Sequence, residues 1–200
     1  MVLSTHPDPK PHNPANGTIE AYDSFKPALW SVGLLCGTFF CNFVGRVVLG
    51  PLLLDIEADL GLSHARASRL FLFLAVGYAA SLLGSGFISS RLSHKRCVTL
   101  SGVSLGLVLI WISQSTTLLE LQLGMILLGF ATGLYLPSGM TTLTSLLKPN
   151  LWGRAVGLHQ LAPNLSFISA PLLAHWATPI LTWRGLLGVI GVLALCIALI

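Results

Sequence analysis

The stretch "FFCNFVGRVVLGPLL", Phe39 to Leu53, decides how this chain is read. It is apolar except for Arg46 and, one turn earlier, Asn42. A guanidinium keeps its charge at neutral pH. At the centre of a bilayer that charge costs at least ~2.5 kcal/mol. The rest of the chain says that a bilayer is the setting. Only 9% of its 200 residues are charged and the mean hydropathy is +0.80, against ~25% charged residues in an ordinary soluble domain. A soluble α/β protein would break its apolar runs every ~5–10 residues. The net charge of +4 does not point to nucleic acid, because the basic residues lie in short loops between apolar runs. Cys36, Cys41, Cys97 and Cys196 fall within or at the ends of those runs and form no CxxC pair. They read as small buried thiols rather than as a metal site or disulfide, so neither metal nor cofactor is expected.

Residues 1–27 are polar and carry Pro7, Pro9, Pro11, Pro14 and Pro27. Without an apolar core this segment is not a signal peptide. It reads as a disordered cytoplasmic tail in which His6 and His12 are solvated. The remainder, 28–200, reads as one all-α, polytopic membrane bundle. A helix crosses ~30 Å of hydrocarbon with ~20 apolar residues. Six runs are candidates: 28–53, 68–89, 97–115, 119–147, 154–178 and 185–200. The fourth is overlong and should bend or end near Pro137. The sixth has only about 16 residues, or ~24 Å, so the last helix reads as truncated. That leaves open a fragment or a truncated membrane remnant.

Orientation follows from the cations. Lys10, Lys26, Arg91, Lys95, Arg96, Lys148 and Arg154 lie on one side, and Arg66, Arg69 and Arg184 on the other. Seven against three places the amino terminus in the cytoplasm of a plasma or inner membrane. Trp30 and Trp152 would then anchor the inner interface and Trp111, Trp176 and Trp183 the outer one.

The spans differ in chemistry. The third and sixth have little that is polar and could face lipid all round, as outer supports. On the first, Ser31, Thr38, Asn42 and Arg46 share one face, beside a small-xxx-small ladder of Gly33, Gly37, Cys41 and Gly45. The fourth carries Thr132, Tyr135, Ser138, Thr141 and Thr142, and the fifth His159, Gln160, Asn164, Ser166, Ser169 and His175. Polar faces inside a bilayer must look at protein or water, so these three helices suggest a hydrophilic cavity. "LGP" (Leu49–Pro51) and "YLP" (Tyr135–Pro137) are each followed by an arginine, Arg66 or Arg154, near the next span. That is a faint inverted repeat of three helices.

Here the sequence resembles the amino-terminal half of a major facilitator superfamily transporter. "GFISSRLSHKR" resembles the loop motif G-x-x-x-[DE]-[RK]-x-G-x-[RK]-[RK]. Gly86, Arg91, Lys95 and Arg96 match, while Ser90 replaces the acid and Ser93 a glycine. The resemblance implies that Gly86 allows close helix packing, that the cations hold the loop at the inner surface, and that the acid latches one conformation. Ser90 could cap a helix but not form the ion pair, so a weaker latch is implied. "GPLLLDIEADLGLSHARAS", "LLGFATGLYLPSG", "WGRAVGLHQLAPNL" and "TWRG" resemble the first outer loop and the fourth, fifth and sixth helices. Arg46 after Gly45 resembles, with Gly45 in place of the Asp, the Asp-Arg pair of the anion:cation symporter branch. Met125 stands where many proton-coupled members have an arginine, and no antiporter signature is evident near Ala170–Pro171. The family fold implies twelve helices in two bundles of six, with a small-molecule substrate held between them, so a second bundle is the missing partner and a coupling ion an expected one.

Two readings of Arg46 stay open. It faces a cavity and binds an anion, with Thr38 and Asn42 on its stripe, or it pairs with an outer acid such as Asp55, Glu57 or Asp59. Tyr135, Gln160 and Asn164 are candidates to line the cavity or to bridge helices. His159 and His175 either pack between helices or carry protons; with no well-buried acid in the spans, His159 is the proton-coupling candidate. "PSG" around Ser138 resembles the nucleophile of rhomboid intramembrane proteases, but Leu136 replaces their first glycine and the sixth span has no histidine. A serine without a positioned base is not activated, so an enzyme is not expected.

Overall fold

The computed structural model describes Ala21, Tyr22 and Ser24–Ile200. His6, Lys10, His12 and most of the expected tail lie outside the described residues. The chain is helical, and among the described residues the only strand-like pairing is an isolated bridge between Tyr22 and Leu147.

Helix α1 (Phe25–Val47) starts with Pro27 in its first turn, where a missing N–H is harmless. It stops at Val47, not at Leu53 as expected from hydropathy. The Pro51 ring would collide with the carbonyl four residues back, which is that of Val47, and the chain turns through 48–52 instead. Short helices α2 (Leu53–Leu60) and α3 (His64–Ser68) flank Gly61, whose φ of 60° closes α2 in the left-handed conformation that favours glycine. The next helix, α4 (Leu70–Arg91), crosses back. Ser93 caps α5 (His94–Gln114), and a Thr117–Glu120 capping box starts α6 (Leu118–Gly133). The fourth span breaks at Leu134, three residues before Pro137, and continues as α7 (Tyr135–Leu146). A 3-10 turn (Pro149–Leu151) leads into α8 (Trp152–Ala198).

The fifth and sixth expected spans are two limbs of α8, joined without a loop. They divide at Thr182, whose φ of 58° is foreign to a helix. Neighbours fix the direction of each limb. On the first, Ala155 shares a buried cluster with Ala28, Val32 and Leu35, and Ser166 Oγ donates to the Phe40 carbonyl at 3.2 Å, so it runs along α1. On the second, Arg184 sits beside Ser113, and Ala198 beside Gly102, so it runs back along α5. The chain therefore reverses at Thr182 and makes six passes. Five helical tracts are long and apolar enough to cross a membrane, the last of them containing both limbs.

The close helix contacts are not where the α1 ladder suggested. Of that ladder only Gly45 is tight, with Leu109 3.0 Å from where a Cβ would stand; at Gly33 the space is open. Between α4 and α6, Gly77 lies against the Ile126 carbonyl, Gly129 against the Leu74 carbonyl, and Gly133 against Ser81. Between α5 and α8, Gly106 and Gly191 face one another's backbone. Helix α5 is therefore no lipid-faced support. It packs against α1, α6, α7 and α8, with Ser101, Leu105, Leu109 and Ile112 buried. The second limb of α8 is likewise buried along Leu186, Leu187, Ile190 and Ala194. Apolar composition does not separate a lipid neighbour from a leucine neighbour; small residues that admit a second backbone do. The most exposed span is α4, with only Leu70, Gly77 and Ser81 buried.

Candidate functional site

Three aromatic rings join α1, α7 and the first limb of α8. Phe39 stacks on Tyr135 at 5.0 Å and on His159 at 4.2 Å. Tyr135 Oη donates to the Leu35 carbonyl at 2.7 Å and lies 3.0 Å from His159 Nε2. Tyr135 and His159 are both 0% exposed. The break at Leu134 places Tyr135 at the first position of α7, turned toward α1. Among the described residues, no hydrogen bond links Ser138 to a histidine, so α7 shows no serine–histidine pair.

The stripe on α1 divides into separate roles. Thr38 Oγ1 donates to the Leu34 carbonyl of its own helix at 2.9 Å. Asn42 is buried, and its Nδ2 donates at 3.4 Å to Ser101 Oγ on α5 and to the Thr132 carbonyl on α6. It therefore pins three helices together. Ser101 Oγ donates in turn to the Ala131 carbonyl at 2.6 Å. Gln160 and Asn164 are exposed, and Asn164 Nδ2 donates to the Gln160 carbonyl at 3.0 Å. They are on a different face from His159, which points into the bundle.

Arg46 occupies the last turn of α1, where the helix dipole favours a cation. With α1 ending at Val47, it lies about ten residues past the helix midpoint, ~15 Å by helix rise rather than the ~7 Å that the longer span implied. The guanidinium sits 4.1 Å from the Phe43 ring centre and 4.9 Å from that of Tyr78 on α4. Among the described residues it has no carboxylate partner. Two of the three acids on α2 are engaged elsewhere: Glu57 Oε1 with His64 Nδ1 at 2.8 Å and Asp59 Oδ2 with Arg184 Nη2 at 2.7 Å. Among the described residues no group of three or more His, Cys, Asp or Glu could hold a metal ion.

The Major Facilitator Superfamily profile matches residues 35–200. The chain belongs to this superfamily. No curated protein matches it. The family's members are transporters, and the apolar helices make this chain a multi-pass membrane protein.

In the superfamily's loop motif, the helix cap is Ser93 rather than Ser90. Ser90 Oγ bonds back to the Phe87 carbonyl at 2.7 Å and caps nothing. Ser93, which replaces the glycine, is the N-cap of α5 and accepts from the Arg96 amide at 3.4 Å. A cap must sit just outside the first helical turn, and that turn begins at His94. Gly86 has open space around it within this bundle. Arg91 lies 4.7 Å over the Phe87 ring. Arg91, Lys95 and Arg96 are all exposed.

A cluster at the α2 end of the bundle was not anticipated from sequence. Arg184 bridges Asp59 to the Ser113 and Ser115 carbonyls that end α5, the first of these at 3.2 Å and the second at 2.5 Å. Trp183 Nε1 donates to the same Asp59 oxygen at 3.2 Å. Trp183 is therefore buried, not an interfacial anchor, whereas Trp30 and Trp176 are exposed. The available signal was an unpaired outer acid and an arginine at the start of the sixth span, both on the cation-poor side.

Proposed function

We propose that this bundle is the amino-terminal half of a secondary active transporter that moves a small polar, anionic organic solute by alternating access. The cavity would lie between this bundle and a second one, in a plasma or inner membrane with the amino terminus cytoplasmic. The observation that carries the anion is Arg46: a half-buried guanidinium, held between two aromatic faces, with no carboxylate partner among the described residues. Outer acids Glu57 and Asp59 are paired elsewhere, which weakens the reading of Arg46 as a structural ion pair. A guanidinium offers paired donors that suit a carboxylate or phosphate. Gln160 and Asn164, exposed on the first limb of α8, remain candidate cavity residues in the assembled transporter, whereas Thr38, Asn42 and Tyr135 are buried within this bundle; His159 remains the proton-coupling candidate. The breaks before Pro51 and Pro137 support the inverted repeat of three plus three helices.

Competition tests the anion assignment. In proteoliposomes carrying the full-length protein, uptake of a labelled small carboxylate should be inhibited by unlabelled carboxylates and not by their neutral amides. Equal inhibition by both would remove the anion from the proposal.

A further inference from the structure

The Tyr135–His159 hydrogen bond has a direction. Tyr135 Oη gives its single proton to the Leu35 carbonyl. The oxygen lone pair that remains faces His159 Nε2 at 3.0 Å, so Nε2 must carry the hydrogen and donate. A neutral imidazole has one N–H, which leaves Nδ1 as a bare acceptor. Nδ1 is buried with no hydrogen-bond partner among the described residues, in a residue that is 0% exposed. Buried polar atoms in folded proteins nearly all have partners. Pro163 adds to the local deficit, because it has no N–H to offer the His159 carbonyl four residues back.

We infer that His159 Nδ1 is a proton-binding site of the transport cycle, kept open by the hydrogen bond from Tyr135 to the Leu35 carbonyl. This rests on the transport reading above and names its coupling ion. The step is a simple addition: a proton joins the Nδ1 lone pair, no bond breaks, and the imidazolium still donates through Nε2 to Tyr135. Each neighbouring element presents few groups that could answer the charge. From α1 come the Phe39 ring and Cys36, which lies beside Tyr135; α7 presents Tyr135 and α5 presents Val98. On α8 itself the nearest charged residue is Arg154, five positions back. The described carboxylates, Asp55, Glu57, Asp59 and Glu120, all lie on α2 or in the first turn of α6. Among the described residues an imidazolium here has no carboxylate counter-charge.

Nitrogen-15 NMR of imidazole-labelled full-length protein in lipid nanodiscs tests this. His159→Gln identifies the His159 signals by subtraction, and its amide can still donate to Tyr135. The expected result is a single tautomer with hydrogen on Nε2 at high pH, and protonation of Nδ1 on lowering the pH across roughly 8 to 4. Tyr135→Phe should populate both tautomers. A hydrogen on Nδ1 at high pH, no protonation across that range, or an unchanged tautomer in Tyr135→Phe would each overturn the inference. Carboxylate uptake is measured separately: uptake that persists while the NMR result fails leaves the transport proposal standing, and the reverse outcome removes transport while retaining the proton site.

Discussion

Between α4 and α6 the two backbones meet. Gly77, Gly129 and Gly133 remove the side chains that would hold the helices apart, and the neighbours are mostly main-chain atoms. Between α1, α7 and α8 the joint is built from side chains instead: Phe39, Tyr135 and His159 stack and bond one another. The first seam meets mainly through main-chain atoms that cannot rotate away. The second is made of donors and acceptors that can exchange partners. A bundle that moves as a body needs the first kind of contact to stay rigid, and the second where its state changes.

The comparison can be broken at either seam. The largest effect is expected from Gly77→Ala or Gly129→Ala, where the new Cβ would meet a backbone carbonyl that cannot rotate away. Either should cost about 3 kcal/mol, the upper end of overpacking, read as a lower denaturant midpoint in detergent. Next comes Tyr135→Phe, which leaves the His159 Nε2–H without its acceptor and should cost about 1–3 kcal/mol. Adding His159→Phe should recover much of that loss, since removing both polar partners is far cheaper than orphaning one. If the double variant is no better than the single, the hydrogen bond is not what joins this seam. A smaller effect is expected from Asp59→Asn. Its pair with Arg184 is partly open to solvent, so about 1 kcal/mol or less is expected, shrinking with added salt. Gly86→Ala marks the lower end. Nothing lies within 4 Å of its Cβ position, so stability in the isolated bundle should not fall.

Much of the fold was legible because a bilayer imposes long apolar runs separated by charged turns. The break near Pro137 was legible because proline acts on its own helix, whereas hydropathy carried the first run past Pro51 to residue 53. Partner choice was not. Gly33–Gly37 and Gly129–Gly133 have the same spacing, yet only the second pair meets another backbone. Periodicity identifies a face without naming what covers it. Thus Asn42 was visible as polar and in place, but its bonds to Ser101 and Thr132 depend on α5, which reads as apolar. Tyr135 and His159 were each visible as candidates, while their contact, and the free Nδ1 it leaves, needed the break at Leu134. The reversal at Thr182 falls in the gap between the fifth and sixth apolar runs, with Pro179 on one side and Gly185 on the other; that the gap holds no loop was not visible in the sequence.

Arg46 carries the functional account, so its substitution is the most direct test. Carboxylate uptake into proteoliposomes should be compared for the full-length protein, Arg46→Gln and Arg46→Lys, at equal reconstituted amounts. Loss of a charge-assisted bond predicts at least about a tenfold fall for Arg46→Gln. Arg46→Lys should also fall, because an ammonium does not reproduce the paired donors. Uptake unchanged in both variants would contradict the account and leave Arg46 as an aromatic-packed anchor at the outer end of α1.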